Sequence, residues 1–282
     1  MIVNSVSSEK VRLLASESIF HTYLDRWDLT PDGDPIITHS SRLLPVRKHD
    51  TLAMLKVAIS AEERSGGLLM AWWNGDGAAH VLAHDGDAIL LERAKDSTIL
   101  ADLTRRGRDD EASHIICAVI AQLHTHGKKP FPQLTSLTQW FRRLEPAAAA
   151  YGGILTASAA VANELLAHLQ EISVLHGDIH HGNILDFGER GWLAIDPKGL
   201  IGERYFDYAN LFCNPDEETA AAPDRFARRV EIVTEAAGLN RNRLLQWILA
   251  WSGLSAAWMI DDDISPGSTL KIAQLAAAEL NR

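Results

Sequence analysis

The spacing of apolar positions along this chain changes near residue 94. Before that point they gather in short runs, Ala53 to Ile59, His80 to Ala83 and Ala88 to Leu91, parted by Gly and Asp turn residues. Runs of that length between turn formers predict strands. A single helical stretch, Ala61 to Trp73, interrupts them. Beyond it the period becomes helical. Ile115, Ile116, Val119, Ile120 and Leu123 would share one helix face, with Gly127 as the stop. Val161, Leu165, Leu169 and Ile172 would share a second face, and Leu244, Leu245, Ile248 and Leu249 a third. The Ala-rich segments 147–150 and 220–222 read as joins between loop and helix. The order predicts an α+β chain of two lobes, strand-rich over residues 1–94 and helix-rich over 95–282.

The sharpest chemical signal lies in the second lobe. His176-Gly177-Asp178-Ile179-His180-His181-Gly182-Asn183 sets an Asp and an Asn five positions apart, and Asp196 follows the Asn by thirteen. Phosphoryl transfer from a nucleotide needs a carboxylate to orient the attacking hydroxyl, and oxygen ligands that hold Mg²⁺ on the phosphates. The catalytic loop of protein kinases, H-R-D-x-x-x-x-N, has the same Asp-to-Asn spacing. Asn183 to Phe187 and Trp192 to Ile195 are apolar runs joined by Gly188-Glu189-Arg190-Gly191, a hairpin signal. Strands of about four residues at roughly 3.3 Å each would return Asp196 to the side of Asn183. Asp178 is thus the candidate catalytic carboxylate, and Asn183 and Asp196 the candidate metal ligands.

Two competing patterns sit in the same segment. Asp186-Phe187-Gly188 spells the metal-binding tripeptide of protein kinases. Its place at the hairpin turn points it away from the site, so Asp186 reads as a turn residue. His176, His180, His181 and Asp178 also suggest a zinc or dinuclear hydrolase, but such enzymes draw further ligands from separate loops. His114, His124, His126 and His168 instead fall on helical patterns. His176 and His180 then read as braces of the loop, and His181 as a loop residue.

In the first lobe the same chemistry asks for a strand lysine that meets phosphate and a helix carboxylate that holds it. Lys56, within Leu52 to Val57, is the lysine so placed; Glu63 is favoured over Glu62 as its partner. Arg47 and Lys48 read as solvated residues near a turn.

His-Gly-Asp-x-His-x-x-Asn followed by Ile195-Asp196-Pro197 resembles the aminoglycoside phosphotransferases. Leu175 to Asn183, with Trp192 to Glu203, is similar to the branch that holds streptomycin 6-phosphotransferases and hydroxyurea kinases. The likeness extends to Ala209-Asn210-Leu211-Phe212 and Asn214-Pro215, to Leu254 to Trp258, and back to Ser40-Ser41 and Trp73-Asn74-Gly75. It implies a two-lobed protein-kinase-like fold that takes ATP, or another nucleoside triphosphate, with Mg²⁺ between the lobes. It implies phosphate contacts around Ser40-Ser41-Arg42, since no glycine lies between Gly33 and Gly66 to build a G-x-G-x-x-G loop. The backbone of Leu91-Glu92-Arg93-Ala94 would meet the adenine. Streptomycin or a related aminoglycoside would be the acceptor, with hydroxyurea or another small alcohol or amine as the alternative. A non-catalytic nucleotide-binding regulator would be expected to lack one of Lys56, Asp178, Asn183 and Asp196.

Charge and composition narrow the partners. A net charge of −10 disfavours nucleic acid, whose binding rests on Lys and Arg, and suits a cationic small molecule. Five acids and no Lys or Arg lie between Tyr205 and Asp224, and Asp261-Asp262-Asp263 follow a helix bearing Trp247, Trp251 and Trp258. Carboxylates beside aromatic rings can hold guanidinium or ammonium groups, which makes Asp207, Trp258, Asp261 and Asp262 candidate acceptor contacts. A solvated acidic surface and core tryptophans are the competing reading. Asp207 and Glu203 could equally brace the site, and Lys198 either neutralises charge near the metal or pairs with Glu203. Two cysteines, Cys117 and Cys213, no twenty-residue apolar span and no signal-peptide pattern lead us to expect a cytoplasmic protein away from membranes. Cys117 falls in an apolar helix run and reads as a packing residue.

Overall fold

In the computed structural model, which describes residues 18–95, 99–125 and 130–282, the run around Lys56 forms the strand Thr51–Ala58. Ala53, Leu55 and Val57 are buried in alternation, so Met54 and Lys56 point to the opposite face. Thr51–Ala58 pairs antiparallel with Ser41–Lys48 on one side and Ala88–Glu92 on the other, and Val81–Asp85 extends the sheet. The short strands Thr30–Pro31 and Ile36–Ile37 pair with Ser41–Lys48. A helix over 18–27, which the apolar pattern did not announce, lays Phe20, Tyr23 and Trp27 on the buried face of these strands. The helix Ala61–Trp73 starts at Ser60, whose hydroxyl accepts from the Glu63 N–H, and ends at Asn74 in left-handed backbone. These elements belong to one compact unit, Met1–Ala94; the second is Lys95–Arg282.

Helices dominate the second unit. Asp109–Leu123 buries Ile116, Val119, Ile120 and Leu123 as its spacing predicts, but it stops at Leu123; Gly127, the expected stop, lies outside the described residues. Leu244, Leu245, Ile248 and Leu249 are buried on Arg241–Asp261, also as expected. The helix Ile154–Ala167 corrects the sequence reading. Its buried face is Leu155, Ser158, Ala159, Ala162 and Leu165, while Val161 is only half-buried and Ile172 opens a strand. Small residues line that face because the helix closely approaches Arg241–Asp261. A Cβ on Gly253 would overlap the Ser158 side chain and lie 3.2 Å from Leu144 Cδ1. Residues 147–150 also differ from expectation, lying inside the helix Leu144–Tyr151, whereas 220–222 do join Glu217–Ala220 to Pro223–Ala237.

Two small sheets carry the loop of interest. Ile172–Leu175 pairs antiparallel with Leu200–Glu203, which also takes Thr135–Ser136 in parallel. Ile184–Asp186 and Trp192–Ala194 form the expected hairpin, with Ile184 opposite Ala194.

Candidate active site

The residues 176–183 span the gap between a strand of each small sheet, and backbone bonds clamp both ends. Lys198 N donates to His176 O at 2.7 Å, and Ile195 N donates to Asn183 O at 2.9 Å. The second bond sets Asp196 one residue beyond the partner of Asn183, as the hairpin spacing predicts. Asp196 takes a positive φ of 61°, sparsely populated for a residue with a Cβ, although Asp is among those that tolerate it. Gly177 has φ 86°, and a Cβ there would meet Leu200 Cδ1 at 2.7 Å. At this position only glycine fits without strain.

Histidine and aspartate side chains hold the loop from behind. The His176 ring bonds to Ile195 O through Nε2 at 2.8 Å and accepts from Asp178 N through Nδ1 at 3.2 Å. That pattern makes Nε2 the protonated nitrogen of a neutral ring, and burial pushes the pKa of His176 below its ordinary value. His180 accepts from Gly182 N at 3.0 Å, and burial lowers its pKa too. His181, expected to be an ordinary loop residue, is 1% exposed, and among the described residues neither ring nitrogen has a hydrogen-bond partner. Burial, with Arg229 nearby, pushes its pKa down to about 2, so the ring stays neutral.

Asp207 is placed as a brace rather than an acceptor contact. It is 1% exposed on the short helix Phe206–Ala209. Its Oδ2 accepts from His176 N and from His124 Nε2, both at 2.9 Å, and its Oδ1 accepts from Gly177 N at 2.7 Å. A carboxylate so used has both oxygens turned into the protein. Glu203 is likewise internal, bonded by Arg243, by Trp247 Nε1 at 2.8 Å and by Gln170 N at 2.9 Å. The Lys198 Nζ lies 3.8 Å from Asp178 Oδ2.

The carboxylate of Asp178 is only partly buried, and three side chains surround it. Asn210 Nδ2 donates to Oδ1 at 2.8 Å; Asn183 Nδ2 reaches Oδ2 at 3.4 Å and also donates to the Asp178 carbonyl at 2.9 Å; Lys198 is the third. The bond to that carbonyl orients the Asn183 amide so that its oxygen faces away from Asp178. Asp186, by contrast, caps its own turn by accepting from Gly188 N at 2.7 Å, which fits its reading as a turn residue. Among the described residues no three His, Cys, Asp or Glu side chains gather in a metal-binding group, so the ligand set of a zinc hydrolase is not found there. A fixed carboxylate with a neighbouring cation, beside an Asn and an Asp that offer hard oxygens, can orient a hydroxyl and take its proton.

In the first unit, Lys56 forms an ion pair with Glu63, and Ser40 Oγ donates to Glu63 Oε1 at 2.9 Å. Ser41 is buried, and its hydroxyl pairs with Thr38 Oγ1 at 3.0 Å, so the hydroxyl turns inward. Glu92 N donates to His80 O at 3.0 Å, and the Glu92 carboxylate accepts from His80 N at 2.5 Å. Arg93 pairs with Asp32, as does Arg47, which is exposed near the end of the strand Ser41–Lys48, next to the turn at 49–50, as expected. Ala94 closes the unit.

The remaining acceptor candidates occupy the end of Arg241–Asp261. Trp258 is half-buried, edge-on to Trp251 at 5.5 Å and to Trp140 at 5.3 Å. Asp261 already holds a cation of the chain itself, Arg143, at 2.6 Å, and Asp262 is exposed at the helix end. Trp247 and Trp251 are core residues. Sequence reasoning missed the roles of Asn210, His124 and Trp251. No local spacing announces them, because Asn210 meets the loop, His124 meets Asp207 and Trp251 meets Asn210 only through tertiary contact.

The comparisons with known proteins agree with one another. A family profile described as aminoglycoside/hydroxyurea antibiotic resistance kinase matches residues 26–263. The chain is 49% identical to a streptomycin 3''-kinase of Klebsiella pneumoniae, over 85% of this chain and 91% of that protein. It is 31% identical to a streptomycin 6-kinase of Streptomyces glaucescens, over 89% and 85% of the two chains. Among solved structures, a choline/ethanolamine kinase family protein from Mesorhizobium loti superposes with a TM-score of 0.62 at 17% identity, covering 88% of this chain and 87% of that one. Aminoglycoside phosphotransferase APH(3'')-Id from Streptomyces rimosus superposes with a TM-score of 0.56 at 17% identity, covering 79% and 92%. The structural likenesses establish the protein-kinase-like fold expected from the sequence. With the profile and the curated relatives beside them, the chain belongs to the aminoglycoside/hydroxyurea antibiotic resistance kinase family.

Proposed function

We propose that this kinase moves the γ-phosphoryl group of ATP to streptomycin, and that the acceptor is the 3''-hydroxyl. The observation that carries the chemistry is the loop, in which Asp178 is held by Asn210 and flanked by Lys198 and Asn183, with Asp196 returned to the side of Asn183. The acceptor is supported by the 49% identity to a streptomycin 3''-kinase, against 31% and 30% to two streptomycin 6-kinases. A net charge of −10 suits an acceptor that carries guanidinium groups.

Asp178 orients the acceptor hydroxyl and takes its proton as the hydroxyl oxygen bonds to the γ-phosphorus and the bond to ADP breaks. Lys198 keeps a positive charge beside that carboxylate. Lys56, held by Glu63, supplies a cation for the nucleotide phosphates. Asn183 and Asp196 would hold Mg²⁺, since two hard oxygen donors suit an ion that takes one or two protein ligands and shares the rest with phosphate and water. When bound, that ion neutralises charge on the phosphate oxygens. Ser40 and the backbone of Glu92 to Ala94 are the proposed nucleotide contacts, and Trp258 and Asp262 the proposed acceptor contacts. We place the protein in the cytoplasm, where ATP and Mg²⁺ are available.

The test is direct. Purified protein with ATP, Mg²⁺ and streptomycin should give one added phosphoryl group by mass spectrometry, located at the 3'' position by NMR. Asp178→Asn should cut turnover by about 10²–10⁴-fold, the usual contribution of a positioned base. Near-normal turnover in that variant would sink the assignment of the base. Hydroxyurea belongs in the same assay, because a hydroxyurea phosphotransferase is 28% identical to the chain. Product from hydroxyurea and none from streptomycin would replace the acceptor and keep the chemistry.

A further inference from the structure

Among the described residues Asp178 has one short side-chain hydrogen bond, and its donor is itself locked. Asn210 Nδ2 lies 2.8 Å from Oδ1, whereas Asn183 Nδ2 and Lys198 Nζ stand 3.4 and 3.8 Å from Oδ2. An ionised carboxylate only accepts, so the amide of Asn210 serves Asp178 only with Nδ2 toward it, and what meets its oxygen decides how firmly it is held there. Trp251 Nε1 meets the Asn210 oxygen at 3.1 Å, and Asn214 Nδ2 adds a longer contact at 3.3 Å. An indole N–H only donates, so a flipped amide would set two donors against each other. Trp251 cannot easily move. It is 5% exposed and packs edge-on against Phe206 at 5.4 Å and Trp258 at 5.5 Å.

We propose that Asn210, fixed by Trp251, is the positioning residue for the proton-accepting carboxylate. It sets the plane of Asp178 by holding Oδ1, and so leaves Oδ2 to face the acceptor hydroxyl. The inference rests on Asp178 being the base. It adds that the orientation of that base is set by an indole N–H on a helix remote from it in sequence. Misplacement of a reacting group by an ångström can cost about 10²-fold in rate, so the device should act on turnover rather than on binding.

The experiment is a double-mutant cycle on the full chain with ATP, Mg²⁺ and streptomycin, using Asn210→Ala, Trp251→Phe, both together, and Asp178→Asn. Asn210→Ala should lower kcat by about 10–100-fold, with KM for both substrates within about twofold. Trp251→Phe removes the N–H and keeps the ring. It should lower kcat by roughly 3–10-fold in the wild-type background and leave it unchanged when Asn210 is already Ala. Without any substrate, hydrogen exchange at the Trp251 indole should be slow and should quicken in Asn210→Ala. A kcat for Asn210→Ala within twofold of wild type, additive effects in the cycle, or an unprotected indole in the wild type would each overturn the proposal. If Asp178→Asn is inactive while Asn210→Ala is normal, only the positioning role falls. If Asp178→Asn keeps its turnover, the base itself is wrong and the inference falls with it.

Discussion

Replacing Asp207 tests whether the catalytic loop is held from behind by a buried charge. Its carboxylate accepts from His176 N, Gly177 N and His124 Nε2 at 2.9, 2.7 and 2.9 Å. Hydrogen bonds to a charged group contribute about 1.5–3 kcal/mol each, and a buried donor left unpaired costs about 1–3 kcal/mol. Asp207→Asn keeps one oxygen. The better placement puts that oxygen at Oδ2, where two donors meet, and turns the new NH₂ toward Gly177 N. One charge-assisted bond is lost and two donors face each other, for a net cost of roughly 2–4 kcal/mol. Asp207→Ala leaves all three donors unpaired and should cost more, about 4–6 kcal/mol once partial relaxation is allowed for. Against a typical domain stability of about 5–15 kcal/mol, the Ala variant should be near its folding limit and the Asn variant folded but weakened. Urea unfolding followed by tryptophan fluorescence gives the stabilities, and turnover of folded Asp207→Asn gives the effect on the loop. A cost for Asp207→Ala below about 1 kcal/mol would refute the brace. A normal kcat with a raised KM for streptomycin in Asp207→Asn would return the residue to the acceptor site.

Three further outcomes are expected. Gly177→Ala meets both a φ of 86° and Leu200 Cδ1 at 2.7 Å, and should cost about 1–3 kcal/mol in urea unfolding; an unchanged midpoint would refute that account. His176 and His181 are neutral in the fold, with pKa values held below 6.5 by burial, that of His181 at about 2. The unfolded chain therefore binds more protons below about pH 6.5. Stability should be full above that pH and decline as pH falls, by up to about 1.4 kcal/mol per unit for each ring. His181→Gln should flatten the decline between pH 6.5 and 5, and an identical slope would count against the neutral ring. Burial pushes the Cys117 thiol up to about 12 and that of Cys213 to about 11, so iodoacetamide at pH 8 should leave both intact in native protein and alkylate both in urea. Rapid modification of either in the native state would contradict its raised pKa.

Much of the local structure was written in short-range pattern. Alternating Ala53, Leu55 and Val57 place Lys56 on the far face of a strand, and Ser60 starts the helix that brings up Glu63. The Asp-to-Asn spacing and the Gly-bounded hairpin return Asp196 to Asn183 through a register that needs no distant residue. These features depend on backbone periods and turn chemistry, both local properties of the chain. Tertiary structure decided the rest. Leu169 and Ile172 continue an apolar rhythm past Ala167, yet the helix stops there and Ile172 starts a strand that pairs with Leu200–Glu203. Ser158 and Gly253 matter because two helices touch there, which no hydrophobic count reveals. Asp207 looked like an acidic residue in an unpaired stretch until the fold buried it under His176 and Gly177. Asn210 reaches Asp178 from 32 positions along the sequence, and Trp251 reaches Asn210 from 41 positions further. The sequence thus determined which groups could do the chemistry. Which oxygen of Asp178 is held, and by what, depends on side chains brought together only by packing, because a hydrogen bond is set by distance in space and not by spacing along the chain.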